Sequence, residues 1–198
     1  LILVVKPESP HRSLEALLAR AKAEPGTLTY SSSGNAVSNH IATVVLLRRA
    51  GADMTHVPYR GGGPALQAVL AGDVDCGFAT VASAAALVQD GRLRALAASS
   101  AARIPSLPAV PTVAEQGFAG YDQVEWNGLY GPAGLPGPAV TRLFECCRAA
   151  LADAAVQGRL AGLGAIGLGT APAEFDAWLK RERAAMAVVA REANITAD

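Results

Sequence analysis

The run Tyr30-Ser31-Ser32-Ser33-Gly34-Asn35-Ala36-Val37-Ser38-Asn39-His40 gathers hydroxyls, side-chain amides, a glycine and an imidazole in one short stretch. It follows a β-prone run, Thr27–Tyr30, and leads into an apolar helical run, Ile41–Leu47. A strand that ends in small polar residues and then opens a helix is suited to hold an anion. The first backbone N–H groups of a helix have no partner inside it and carry partial positive charge. Small side chains let a ligand approach the backbone, and hydroxyls add donors. The stretch lacks the Lys of a P-loop and the glycine spacing of a dinucleotide fingerprint, so a carboxylate is expected rather than a nucleotide. Ser32, Ser33, Gly34 and Asn35 are the candidate contacts. Ser38 suits either a ligand or a helix cap. An ordinary strand–helix turn capped by Ser and Asn would use the same residue types. Arg60, at the end of a later β-prone run, suits a carboxylate through a bidentate pair and equally suits a structural ion pair.

A second chemistry is a serine nucleophile, Ser33, with His40 as base. No Gly-x-Ser-x-Gly elbow is present, and no acid is placed to orient His40. His40 lies one turn into the expected helix, where local packing is its expected role. The other histidines, His11 and His56, are scattered, and no Cys or His spacing matches a metal site. Cys146 and Cys147 are adjacent in an expected helix, with side chains about 100° apart, which suits partly buried positions rather than a redox pair. Cys76 falls in an apolar strand and reads as core. No cofactor is expected.

The elements that position these residues alternate through the first half. Strands are expected at Leu1–Val5, Thr27–Tyr30, Met54–Val57, Cys76–Ala79 and Leu93–Ala98. Helices fall between them: one capped by Ser13 and ended by Pro25-Gly26, then Ser38–Ala50 closed by Gly51, one from Pro64 to Gly72, and Ser83–Gln89. Such alternation predicts βαβ units and a mixed, mainly parallel sheet. Ligands sit at the carboxyl ends of the strands in such sheets, so the loops after Tyr30, Tyr59 and Ala79 should share one rim. The segment from Ser99 to Gln123, with Pro105, Pro108 and Pro111, reads as a connection between domains with a short helix at Thr112–Gln116. Beyond it the pattern predicts a strand at Val124–Tyr130 and helices at Ala139–Leu151 and Ala154–Leu160. A last strand at Ile166–Leu168 and an amphipathic helix at Ala171–Ala193 follow. Leu129, Phe144, Trp178 and Val189 should belong to a core that this half cannot close alone. An exposed apolar patch, or a dimer that covers it, is the expected consequence.

Composition bounds the function classes. Of 198 residues, 51% are hydrophobic and 17% charged, as in a packed globular protein. Lys plus Arg and Asp plus Glu both number 17, and no basic cluster appears, so nucleic acid is not an expected partner. No run approaches the ~18 apolar residues of a membrane span. Leu1–Val5 is too short for a signal peptide, and the chain does not begin with Met. It reads as processed, truncated or part of a longer protein.

Several motifs occur together in order: YSSSGNAVSNH (30–40), THVPYRGGGPALQAVLAGDVDCGF (55–78), GRLRALA (91–97), LPAVPTVAEQGFAGY (107–121) and WNGLYGPAGLP (126–136). With this spacing the chain closely resembles the extracytoplasmic solute receptors of tripartite tricarboxylate transporters, the Bug/TctC-type family, from Leu1 to about Asn194. The resemblance implies a type II periplasmic-binding-protein-like α/β fold of two lobes that closes on a small carboxylate, an organic or amino acid. It implies a periplasmic location and membrane transporter subunits as partners. Full-length members carry roughly a hundred more residues at the N-terminus. Residues 1–125 would then be one complete lobe, the second, and residues 126–198 the returning part of the first. The resemblance adds Gly61 and Thr80 to the ligand contacts and places Trp126 by a hinge, where packing is its expected role. Two departures from the family pattern stand out: a bulkier Val37 in the motif, and Ala79-Thr80 where members often have Asp and Asn. A sensory module of the same family, signalling through a partner, would use the same cleft.

Overall fold

The continuous apolar run Ile2-Leu3-Val4-Val5 forms β1 (Ile2–Val5), buried at every position. Such a run suits a strand covered on both faces, and β1 lies between two others. In the computed structural model, which describes residues 1–192, the chain continues through α1 (Leu14–Ala23), β2 (Thr29–Ser32), α2 (Ser38–Ala50), β3 (Thr55–Pro58) and α3 (Gly62–Ala71). Then come β4 (Cys76–Ala79), α4 (Val81–Gln89) and β5 (Arg94–Ala98). The sheet order is β3-β2-β4-β1-β5. β2 pairs in parallel with β3 and β4, whereas β1 runs antiparallel to β4 and β5. The sheet is therefore mixed, with β1 alone running against the rest.

Alternation along β1 feeds two cores. Leu3 and Val5 join Leu14, Leu17 and Leu18 of α1, Leu46 and Leu47 of α2, and Phe78. Ile2 and Val4 join Leu66 and Val69 of α3 and Val81 and Ala84 of α4. Each buried Leu, Ile or Val side chain contributes about 1.5–3 kcal/mol. The helices begin and end where local chemistry directs. Ser13 Oγ accepts the Ala16 N–H at 3.1 Å. Gly51 and Gly72 close α2 and α3 at φ 62° and 84°, a region that penalises a Cβ.

The Pro-containing segment after β5 folds back onto this layer instead of leaving it. Thr112 and Glu115 form a reciprocal cap: the Glu115 carboxylate accepts the Thr112 N–H at 2.7 Å and Thr112 Oγ1 accepts the Glu115 N–H at 3.0 Å. The expected short helix is there a 3-10 turn at Ala114–Gln116. Tyr121 is fully buried, and its hydroxyl donates to the Ala42 carbonyl at 2.8 Å. Arg49 lies over its ring, 5.7 Å from the centroid.

The chain divides into two compact units, Leu1–Glu125 and Trp126–Arg191. The second holds α5 (Gly137–Ala152), α6 (Ala154–Gly162) and α7 (Pro172–Glu192). Asp153 caps α6 by accepting the N–H groups of Ala155 and Val156. The strand expected at Val124–Tyr130 is absent. A strand requires a hydrogen-bonded neighbour, and none lies beside this segment among the described residues. The strand expected at Ile166–Leu168 is absent for the same reason, and both residues are 80% exposed or more. Ala193, expected to end the last helix, lies outside the described residues. No residue between 126 and 191 is buried. Leu129 is 68% exposed, and Phe144, Trp178 and Val189 are half-buried. Trp126, expected to pack, is 40% exposed, with its ring edge-on to Trp178 at 5.0 Å.

Two substitutions separate the terms that hold the returning segment. Tyr121→Phe removes one buried hydrogen bond and should lower unfolding free energy by about 0.5–1.5 kcal/mol. Tyr121→Ala also empties the site and should cost about 3–5 kcal/mol. Urea denaturation reads both; equal losses would contradict a packed role for the ring.

Candidate functional site

The carboxyl ends of parallel β2, β3 and β4 turn directly into α2, α3 and α4. The three helix N-termini therefore meet at one end of the sheet, around a cavity of about 280 Å³. Ser33, Ser38 and Asn39 line it from the first loop and α2, Gly62 and Gly63 from α3, and Thr80 and Ser83 from the start of α4. Only α4 has a side-chain cap: Thr80 Oγ1 accepts the Ser83 N–H. α2 begins after Val37 and α3 after Gly61, neither with a capping side chain. First-turn amides left without a side-chain cap carry partial positive charge, which suits an anion. Gly61 reaches φ 109° at this turn, a conformation that L side chains rarely adopt.

Asn39 fixes the first loop. Its Nδ2 donates to the Phe78 carbonyl at 3.3 Å, which orients the amide. Its Oδ1 then accepts both the Ser33 N–H, at 3.2 Å, and the Ser33 hydroxyl, at 3.1 Å. Asn39 is buried, and it ties the end of β2 to the end of β4. Ser33 has thus committed both its hydrogens, so its Oγ presents lone pairs to the cavity. Among the lining residues, Glu125 alone carries a formally charged side chain, a second acceptor.

Below the loop lies a stack of rings. His40 and His56 are nearly parallel, with centroids 3.9 Å apart, and Tyr30 stacks on His56 at 4.9 Å. His40 Nδ1 accepts the Ala36 N–H at 3.1 Å. Ser32 Oγ donates to the Gly34 carbonyl at 2.8 Å and accepts the Gly34 N–H at 3.2 Å. His56 Nε2 meets the same hydroxyl at 2.6 Å, a contact that either partner's proton can bridge. Burial holds His40 below the usual histidine range, and burial plus the neighbouring His40 brings His56 down to about 4. Ser33 and His40 do not form a nucleophile–base pair, because each is bonded elsewhere.

Of the candidate residues, Ser33, Ser38 and Thr80 line the cavity. Ser32 is fully buried beneath it and supports the loop. Gly34, Asn35 and Gly61 shape the turns beside it without lining it, and Arg60 is exposed and does not line it either. Sequence reading missed Asn39, Gly62, Gly63 and Ser83. Asn39 sits inside the motif, but its reach to Phe78 depends on tertiary pairing. The glycines were hidden because α3 was expected to start at Pro64.

A model of the tripartite tricarboxylate transporter family receptors, TctC, matches residues 1–168. The chain is 38% identical over 172 residues to a UPF0065 protein from the tcbD-tcbE intergenic region of Pseudomonas sp., covering 86% of this chain and 51% of that one. It is 31% identical over 192 residues to Protein BugT of Bordetella pertussis, covering 97% and 59%. Among solved structures, it matches R. palustris Rpa4515 with adipate at a TM-score of 0.90 and 30% identity, covering 98% of this chain and 65% of that one. It matches MatC (Rpa3494) from Rhodopseudomonas palustris with bound malate at a TM-score of 0.85 and 28% identity, covering 95% and 65%. The fold is that of the periplasmic binding proteins, and the chain spans a little over half the length of these curated relatives. With the motifs, the fold and the family model in agreement, the chain belongs to the tripartite tricarboxylate transporter receptor family.

Proposed function

We propose that this chain forms the carboxylate-holding part of an extracytoplasmic receptor that passes a small organic or amino acid to membrane transporter subunits. The observation that carries the reading is the meeting of three helix N-termini at one cavity, two of them without a side-chain cap. A carboxylate there takes charge-assisted hydrogen bonds from backbone amides, each worth about 1.5–3 kcal/mol. Thr80 and Ser38 add hydroxyls. Ser33 Oγ accepts, and so suits a hydroxyl or ammonium group carried beside the carboxylate. Two similar structures are described with adipate and with malate, both carboxylates. In this reading residues 1–125 are one lobe and residues from 126 onward the returning part of the other. Further chain of the receptor, or a second copy, then covers the unburied apolar side chains of the second unit, Leu129, Trp178 and Val189 among them.

Two substitutions test the site by calorimetry against malate, adipate, citrate and aspartate. Gly62→Pro keeps a residue favoured at a helix start but removes one cavity amide. It should weaken the best-bound acid by roughly ten- to a hundredfold, with circular dichroism unchanged. An unchanged affinity would count against anion capture by α3. Asn39→Ala leaves the Ser33 N–H and the Phe78 carbonyl without their partner. It should lower unfolding free energy by about 1–3 kcal/mol and weaken the same acid. A stable variant with native affinity would contradict the role assigned to this amide.

A further inference from the structure

We infer that His40, stacked on His56, is a positioning residue for the ligand loop, and that protonating it releases the loop and weakens carboxylate binding. The functional half of this inference rests on the carboxylate reading of the cavity; the loop's dependence on His40 does not.

The geometry makes the two histidines unequal. His56 Nε2 lies 2.6 Å from Ser32 Oγ, a hydroxyl that can both donate and accept, so a proton added to this ring still finds a partner. His40 uses Nδ1 as an acceptor for the Ala36 N–H, and a proton there turns acceptor into donor. Two N–H groups would then face each other. Ala36 is the position least able to lose this bond. It is the only described non-glycine residue at positive φ, 57°, and nothing but its surroundings holds it there. Gly34, two residues earlier, is held through Ser32, which His56 braces. One ring stack thus supports both unusual turns of the segment that delivers Ser33 and Ser38 to the cavity.

The surroundings keep the stack neutral. His40 is buried on α2, with Tyr30 of β2 and His56 of β3 as its ring neighbours. Tyr30 is itself pushed well above its ordinary range by burial, with smaller contributions from Cys76 of β4 and Asp53 before β3. No carboxylate contributes to the shift of either histidine, so nothing compensates a proton placed between the rings. Two imidazoliums at 3.9 Å would also repel. The sign follows from linkage. A histidine whose native value is lowered contributes its full stability above the ordinary value near 6.5. That contribution fades as pH falls through the native value, about 4 for His56.

The test is a pH titration of the native protein followed by NMR, which needs no ligand. The Ala36 amide, with those of Gly34 and Asn35, should shift at the same midpoint as the His40 ring carbons. His40→Asn offers an untitratable acceptor near the Nδ1 position and should flatten that amide profile. With malate as probe, affinity should fall at least tenfold more between pH 7 and one pH unit below the His40 midpoint read by NMR in the native protein than in His40→Asn. The titration of malate itself cancels in that comparison. An Ala36 amide that stays still while His40 protonates would overturn the inference. So would a His40→Asn protein that keeps the native pH profile. Failure of malate to bind at pH 7, with Ala36 still tracking His40, would support the positioning role and count against the carboxylate reading alone.

Discussion

A helix that starts at the carboxyl end of a strand brings backbone amides that its own hydrogen bonds cannot satisfy. Here β2, β3 and β4 run the same way, so three such starts are delivered to one end of the sheet. Everything about the cavity depends on that direction. Reversing one strand would carry its helix start to the opposite end and leave the remaining amides without a common focus. β1, the one reversed strand, has no helix start at this rim and serves instead as the doubly buried centre of the core.

Direction alone does not place the amides to within hydrogen-bond tolerance. That is the work of a small polar network, with Asn39 at its centre. One side-chain amide reads a carbonyl of β4 with its donor and two groups of Ser33 with its acceptor. The bonding leaves no freedom in its orientation, and it fixes the polarity Ser33 shows to the cavity. Buried polar groups that are fully paired rigidify a site, whereas half-paired ones destabilise it. The ring stack extends the same principle one layer deeper, by supporting a left-handed residue through a nitrogen that must stay unprotonated.

Local rules made much of this legible in the sequence. The apolar run of β1, the Ser13 cap and the glycine stops at Gly51 and Gly72 are all local, and all appear where expected. The strand end, glycine and hydroxyls of the SSSGN run marked a strand-to-helix turn, and such a turn joins β2 to α2. What was hidden depends on partners distant in sequence. Asn39 could not be assigned to Phe78, nor His40 to the ring of His56, before the sheet order was known. The charge of Arg60 suits a carboxylate, and the residue is exposed and does not line the cavity. Val124–Tyr130 and Ile166–Leu168 have strand-like composition, but composition cannot supply a neighbouring strand. The second unit shows the same limit, since its apolar positions recur at helical spacing while none of them is buried.

The most direct measurement of the central claim is a map of which backbone amides meet the ligand. In ¹H–¹⁵N spectra of the protein titrated with malate or adipate, the account predicts the largest shifts at Ser38, Asn39, Gly62 and Gly63. These should move together and saturate with a single affinity. Shifts confined to the surface around Arg60, or to residues of the unit Trp126–Arg191, with these four amides unmoved, would contradict it.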